Sequence, residues 1–194
     1  MFKETKRFMF AGVGGQGILL ASRVLAEGLL RAGLDVKSTE VHGMAQRGGS
    51  VVTQVCFGEQ VYSPLVGPGA IDALVALEKL EALRYIHYVK RNGILLVNKK
   101  EIPSLPILSG AVPYPQDIEE RLSAYPVSLH IIDADRAAEG LGNHRAMNMV
   151  LLGALLKLRG LSNLIDWKEV VSEAVRPEYR DLNLKALEAG MSLV

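Results

Sequence analysis

Apolar positions along this chain fall into two rhythms. Arg7 to Gly12 (RFMFAG) is a short apolar strand running into Gly-Val-Gly-Gly-Gln-Gly. Beyond it Ile18, Ala21, Ser22, Leu25, Leu29 and Ala32 recur in steps of three and four, the spacing of one helical face. Gly33 is placed to stop that helix, and Asp35 to Val41 carries enough β-branched residues for a second strand. Ser50 to Phe57, Asp72 to Leu77 and Gly93 to Val97 read as further strands, with Glu78 to Lys90 helical between the last two. A Pro-, Ser- and Tyr-rich stretch from Ile102 to Pro126 holds a short helix at Gln116 to Ser123, and Val127 to Ile132 is one more strand. From Asn143 the pattern turns helical: Met147, Val150, Leu151, Ala154, Leu155 and Leu158 make a broad apolar face. Shorter helices follow at Trp167 to Val175 and Leu182 to Ala189. Strands alternating with helices predict an α/β fold, a single doubly wound, mostly parallel sheet with a Rossmann-like opening and a helical C-terminal region. No linker marks a boundary, so residues 1–194 are expected to form one domain.

Composition narrows the function classes. A chain of 194 residues with 49% hydrophobic and 22% charged side chains is an ordinary globular sequence and excludes disorder. Its formal charge of +1 supplies no global field for nucleic acid or an anionic membrane, so any charged ligand must be met locally. The single cysteine, Cys56, forms no internal disulfide and by itself holds neither zinc nor an iron–sulfur cluster. The longest uncharged runs, Phe8 to Ser22 and Ile102 to Gln116, are 15 residues each and broken by glycines or prolines, too short to span a bilayer. Lys3, Lys6 and Arg7 precede the first run, but its glycines suit strand, loop and helix better than a leader, and a cytoplasmic protein is expected.

Gly12, Gly14 and Gly17 satisfy G-x-G-x-x-G between a strand and a helix. Glycines there let the backbone approach an anion, which the helix N-terminus favours through its free N–H groups and dipole. Glu40, 23 residues beyond Gly17, stands where a dinucleotide site would place its ribose-binding carboxylate. Equally, the glycines serve close strand-to-helix packing, with Gln16 offering an amide to a neighbouring surface. The segment Glu40 to Ser50 (EVHGMAQRGGS) should close the second strand beside this loop. Arg47 presents a rigid fork of donors suited to carboxylate or phosphate, Gln46 an amide, His42 a group titrating near neutrality, and Gly48-Gly49 an approachable backbone. The alternative is a glycine turn with a solvated arginine.

Together the runs AGVGGQGILLAS, EVHGMAQRGGSVVTQVCFG, YSPLVGPGAIDALVALEKLEALR and GNHRAMNMVLLGAL resemble the gamma subunit, or gamma domain, of 2-oxoacid:ferredoxin oxidoreductases, and among these the small subunit of the indolepyruvate type. The likeness runs from Phe8 to Leu158. It implies a chain assembled with a large subunit that carries thiamine diphosphate, magnesium and 4Fe-4S clusters. The complex would oxidatively decarboxylate an aryl 2-oxoacid with coenzyme A as co-substrate and pass electrons to ferredoxin. The sequence fits that division: it lacks clustered cysteines and a G-D-G with a downstream Asn, so no tightly bound cofactor is expected on this chain. The matched positions are Gly12, Gly14, Gly15, Gln16 and Gly17 in the first loop, expected to bind a cofactor, and Gln46, Arg47, Gly48 and Gly49 in the second. Gln46, Arg47 and His42 are the candidates for catalytic work. Val13 and Met44, apolar within polar loops, suit contact with another chain, and self-association of the isolated chain is a further expectation. Two other readings stand beside this one: a free-standing NAD(P)-dependent oxidoreductase using the Gly12 loop, and a nucleotide-sensing or scaffold module without chemistry. Against the first, the chain has no evident substrate domain or acid/base constellation.

The remaining polar positions read as structural first. Asn143 is a helix N-cap, Arg145 and Asn148 share a face that is solvated or an interface, and Ser63-Pro64 is a turn. Cys56 in its apolar strand is a small core residue, and His87 and His130 are structural histidines. Glu78 and Glu81, three apart after a strand end, either share a face near the site or start a helix favourably for its dipole.

Overall fold

The computed structural model describes residues 4–42 and 49–194, for His42 and Leu105 the backbone alone. Six strands form one sheet in the order β2-β3-β1-β4-β5-β6: β1 Lys6–Val13, β2 Asp35–His42, β3 Ser50–Gly58, β4 Ile71–Ala76, β5 Val89–Asn98 and β6 Ser128–Ile132. The helices are α1 Ile18–Arg31, α2 Lys79–Tyr85, α3 Leu105–Leu108, α4 Ile118–Ser123, α5 Ala134–Gly140, α6 Met147–Leu158, α7 Trp167–Ala174 and α8 Arg180–Ser192, with 3-10 turns at Ile86–Tyr88, His144–Ala146 and Pro177–Tyr179.

The sheet is mostly parallel, as expected, and β3 is the exception. β1 pairs in parallel with β4, β4 with β5 and β5 with β6, but β3 is antiparallel to both of its neighbours and lies between β1 and β2. Loop length is the cause: only residues 43–49 separate β2 from β3, and a parallel crossover needs roughly a dozen residues or more. β3 therefore ends at the edge of the sheet where β4 begins, and residues 59–70 connect them without a helix.

Period-two alternation divides the core. Phe8 and Phe10 of β1 face α1, α5, α6, α7 and α8, while Met9 and Ala11 face α2, α4 and the anchored residues Val61 and Val66. Both faces of the sheet are covered, so its strands read as continuous apolar runs; β4 is buried at all six positions. α1 stops where the sequence expects: Gly33 takes a left-handed φ of 79°, its N–H reaches Leu30 O at 2.9 Å and that of Leu34 reaches Leu29 O at 3.2 Å. This Schellman pattern satisfies carbonyls the helix leaves open. α6 is buried all round, and it meets α8 backbone to backbone. A Cβ on Gly153 would stand 2.0 Å from Leu187 O, and one on Gly190 1.9 Å from Val150 O.

Candidate functional site at the glycine loop

The loop after β1 is tied in three directions. Val13 N donates to Gln16 Oε1 at 2.7 Å, Gln16 N to Val13 O at 3.2 Å, and Gln16 Nε2 to Leu77 O at 3.0 Å beyond the end of β4. Gly17 caps α1 in a left-handed conformation (φ 78°), and its carbonyl accepts from Asn148 Nδ2 at 3.0 Å. A Cβ at Gly17 would lie 2.3 Å from that same nitrogen, so the position requires glycine for both reasons. Asn148, read from sequence as part of a solvated or interfacial face, is buried beneath the loop instead; Arg145 on the same segment is exposed.

The two glycine loops meet. Gly14 N donates to Gly49 O at 2.9 Å, which places the end of the second loop directly against the first. Gln46, Arg47, Gly48 and Met44 lie outside the described residues, and of His42 only the backbone, at the end of β2, is described. Along the α1 side of this junction runs an open groove of about 740 Å³, floored by Gly14, Gly15 and Gly17 and walled by Ile18, Arg23 and Ala174. An adjoining hollow of about 410 Å³ shares Leu20 and Ala174 with it and adds Arg145, Arg176 and Tyr179. First-turn N–H groups of any helix lack intrahelical partners, so α1 brings donors and a partial positive charge to the groove, where Arg23 stands paired with Glu40, while Arg145 and Arg176 line the adjoining hollow. Chemically, the groove can offer hydrogen-bond donors to an anionic group beside apolar surface.

A smaller cavity, about 120 Å³, opens beside Val13 and Ser50 and holds Glu78, Glu81 and Arg84. Glu78 is the N-cap of α2, accepting from Leu80 N at 3.0 Å and from Glu81 N. It is 1% exposed, and burial, with the Glu81 charge adding, pushes its carboxyl up to about 7 against the opposing amide hydrogen bonds. Glu81 accepts from Ser50 Oγ and from Arg84 Nε at 2.8 Å, and Tyr85 Oη lies 3.1 Å from Ser50 Oγ. The Tyr114 hydroxyl is buried without a partner among the described residues, and burial followed by the Glu78 charge raises its pKa.

The other sequence candidates fall in structural places. Asn143 Oδ1 accepts from Arg145 N at 3.0 Å, capping the 3-10 turn before α6. Ser63 Oγ accepts from Leu65 N at 3.1 Å in a turn. Cys56 is fully buried, its thiol pushed up by burial and directed at Pro64 O at 3.6 Å. His87 stacks on Tyr88 with centroids 4.5 Å apart, and His130 Nε2 lies 3.0 Å from Ser128 Oγ. Asn98, fully buried at the end of β5, went unnoticed in the sequence. The available signal was a polar residue closing an apolar strand (GILLVN) at the carboxyl edge of the sheet.

The dinucleotide alternative does not fit this geometry. β3 separates β2 from β1, so Glu40 is two strand spacings from the glycine loop, about 10 Å, and its carboxylate pairs with Arg23 at 3.4 Å. Among the described residues no group of three or more His, Cys, Asp or Glu is placed to hold a metal, and no helix is long and apolar enough to cross a membrane.

Comparison with known proteins agrees with the architecture. The family model described as pyruvate ferredoxin/flavodoxin oxidoreductase matches residues 7–193. Indolepyruvate oxidoreductase subunit IorB of Thermococcus kodakarensis is 39% identical over 190 residues, covering 94% of this chain and 93% of the relative. A pyruvate oxidoreductase subunit of Thermotoga maritima shares the fold with a TM-score of 0.76 at 22% identity, over 98% of this chain and 97% of that one. The 2-oxoglutarate:ferredoxin oxidoreductase of Magnetococcus marinus, solved with 2-oxoglutarate, coenzyme A and succinyl-CoA, superposes with a TM-score of 0.74 at 23% identity, over 98% of this chain but 31% of that longer one. With a family match that takes in both loops, the groove and every strand of the sheet, the chain belongs to the pyruvate ferredoxin/flavodoxin oxidoreductase family.

Proposed function

We propose that this chain is the small subunit of an indolepyruvate-type 2-oxoacid:ferredoxin oxidoreductase. Residues 1–194 act as one gamma-type domain whose groove receives the phosphorylated part of coenzyme A. The overall change converts an aryl 2-oxoacid, coenzyme A and two oxidised ferredoxins into an aryl acyl-CoA, carbon dioxide, a proton and two reduced ferredoxins. The bond to the carboxylate breaks, the C–S bond forms, and the electron pair leaves one electron at a time. Thiamine diphosphate, magnesium and 4Fe-4S clusters belong, on this reading, to a large partner subunit, which also meets ferredoxin in the cytoplasm. This chain supplies binding and orientation.

The observation that carries the reading is the Gly14 to Gly49 junction beside a groove lined by Arg23 and an adjoining hollow lined by Arg145 and Arg176. Gly12, Gly14, Gly15, Gln16, Gly17, Gly48 and Gly49 are the positions assigned to cofactor binding on this reading, and of these Gly14, Gly15 and Gly17 line the groove. Gln46, Arg47 and His42 are, on this reading, the residues of this chain that would work at the partner's reacting centre. Phosphates suit arginine forks and free N–H groups, and the apolar stretch at Ile18, Leu20 and Val51 suits the less polar part of the ligand.

The test is anaerobic co-expression with the large subunit, followed by ferredoxin reduction dependent on indolepyruvate and coenzyme A. The complex is expected to turn over, and the isolated chain to be colourless and silent whether monomeric or self-associated. Turnover or a stoichiometric cluster on the isolated chain overturns the subunit reading.

A further inference from the structure

The carbonyl of Leu77 accepts two side-chain amides at once, from Gln16 Nε2 at 3.0 Å and from Asn98 Nδ2 at 3.1 Å. Each amide is engaged at its other atoms too. Gln16 Oε1 accepts from Val13 N at 2.7 Å. Asn98 Oδ1 accepts from Ala134 N at 3.0 Å, and its Nδ2 also reaches Asp135 Oδ2 at 2.6 Å, where Lys100 pairs with the other oxygen. The bonds thus run unbroken from the glycine loop through β4 and β5 to the start of α5.

Their position in the fold gives this chain of amides its meaning. The strand order reverses between β1 and β4, and open α/β sheets take ligands in the crevice outside the carboxyl ends of the strands at such a point. Here the Gln16 carboxamide spans that crevice. It is filled closely: a Cβ on Gly12 would stand 2.7 Å from Gln16 Oε1 and 3.0 Å from Leu77 Cβ. A phosphate entering the crevice would displace the carboxamide, and having acceptors alone it would take over Val13 N–H but bring no donor to Leu77 C=O, which would keep only its bond from Asn98 Nδ2.

We infer that Gln16 is a positioning residue that closes the crevice between β1 and β4 from within and so commits the glycine loop to the groove on the α1 side. The inference rests on the reading of that groove as the coenzyme A site. A carboxamide is suited to the task because Val13 N–H requires an acceptor and Leu77 C=O, already bonded by Asn98, has a second lone pair for a donor. Glutamate at neutral pH offers acceptors alone, and alanine neither. Gln16 then acts on the ligand through the backbone of Gly14, Gly15 and Gly17, without touching it. Its loss shifts the floor of the groove and leaves the chemistry on the partner intact.

The complex reconstituted with Gln16→Ala, Gln16→Glu or Arg23→Ala chains tests this. For both Gln16 variants KM for coenzyme A is expected to rise on the order of tenfold, with kcat at saturating coenzyme A changed less than about twofold. Amide hydrogen exchange at Val13 in the full chain is expected to accelerate in Gln16→Ala. An unchanged KM in folded, assembled Gln16 variants overturns the inference. If Arg23→Ala raises KM in that case, the groove reading survives alone; if Arg23→Ala is also without effect, both readings fall. Should Gln16→Ala fail to assemble, Gln16→Glu, which keeps the acceptor for Val13, decides by the same split between KM and kcat.

Discussion

Gly14 donates its amide hydrogen to the carbonyl of Gly49 at 2.9 Å, and that bond joins two loops lying 35 residues apart in the chain, the first ending β1 and the second opening β3. Because β3 runs antiparallel to β1, the start of one lies beside the end of the other. Val13 pairs with Ser50, so strand register alone delivers the second loop to the first.

Gly17→Ala is expected to be costly for the isolated chain. The new Cβ meets Asn148 Nδ2 at 2.3 Å on a backbone with φ at 78°. Strain and a displaced hydrogen bond together amount to about 2–4 kcal/mol, a fall in Tm of roughly 5–12 °C at this chain length. Thermal melts of Gly17→Ala, Asn148→Ala and the double variant check it. The double variant should be more stable than the sum of the singles implies, because removing the amide relieves the contact.

Glu78 makes stability depend on pH in a definite direction. Its folded pKa, about 7, lies above the ordinary 4.5, so between those values the folded state holds more protons than the unfolded one. The stabilisation is present in full below about pH 4.5 and is lost as pH rises towards and through 7. Its size is on the order of 3 kcal/mol. Glu78→Gln keeps an acceptor for the N–H groups of α2 and removes the titration. The difference in stability between wild type and variant, followed by denaturant melts from pH 4.5 to 8, should therefore grow in the variant's favour with pH. A flat difference would show that Glu78 titrates normally.

Gly190→Ala places a methyl 1.9 Å from Val150 O, where two helix backbones touch and no side chain can yield. A shift of α8 away from α6 opens voids along the face that buries Ala186 and Leu187, at a cost of about 3 kcal/mol or more. The expected result is insoluble chain or a melting temperature lower by roughly 6–12 °C, measured against Gly140→Ala, a helical glycine with open space around it, which should be close to neutral.

Arg47→Lys keeps the charge but loses the planar fork. Melting temperature and assembly should be unchanged, with kcat/KM of the complex falling on the order of 10- to 100-fold if the fork binds in the transition state. Steady-state rates with Arg47→Lys and Arg47→Ala decide it. Wild-type kinetics in both would make Arg47 a solvated turn residue.

Legibility in the sequence followed local signals. β1, α1, the Gly33 stop and β4 were visible because apolar periodicity and glycine placement act within a few residues. α5 was not, since its apolar residues are alanines (ADRAAEG) that make little hydrophobic stripe. The one strong sign was Asp133, whose side chain accepts from Arg136 N at 3.0 Å as the cap. The direction of β3 is implicit in the seven residues of 43–49, too few for a parallel crossover, although a mostly parallel sheet left open which strand would be the exception. Gln16 was read as an amide for a neighbouring surface, and it turns inward because Leu77 O, 61 residues away, awaits a donor. Such long-range partners leave no periodic trace in a single chain. Glu78 followed the same logic: its place at the start of a helix is local and was among the readings, while its side-chain cap is a structural finding and its raised pKa comes from burial contributed by the whole fold.

The strand order also constrains descent. With β3 wedged between β1 and β2, the carboxylate at the end of β2 stands one strand too far out to reach a ribose held over the glycine loop. Point substitutions in this scaffold can retune the loops and the arginines, but none of them moves a strand. The passage between this lineage and a nicotinamide dehydrogenase therefore requires rewiring the sheet, which makes the glycine fingerprint shared by the two a sign of common backbone physics rather than of exchangeable chemistry.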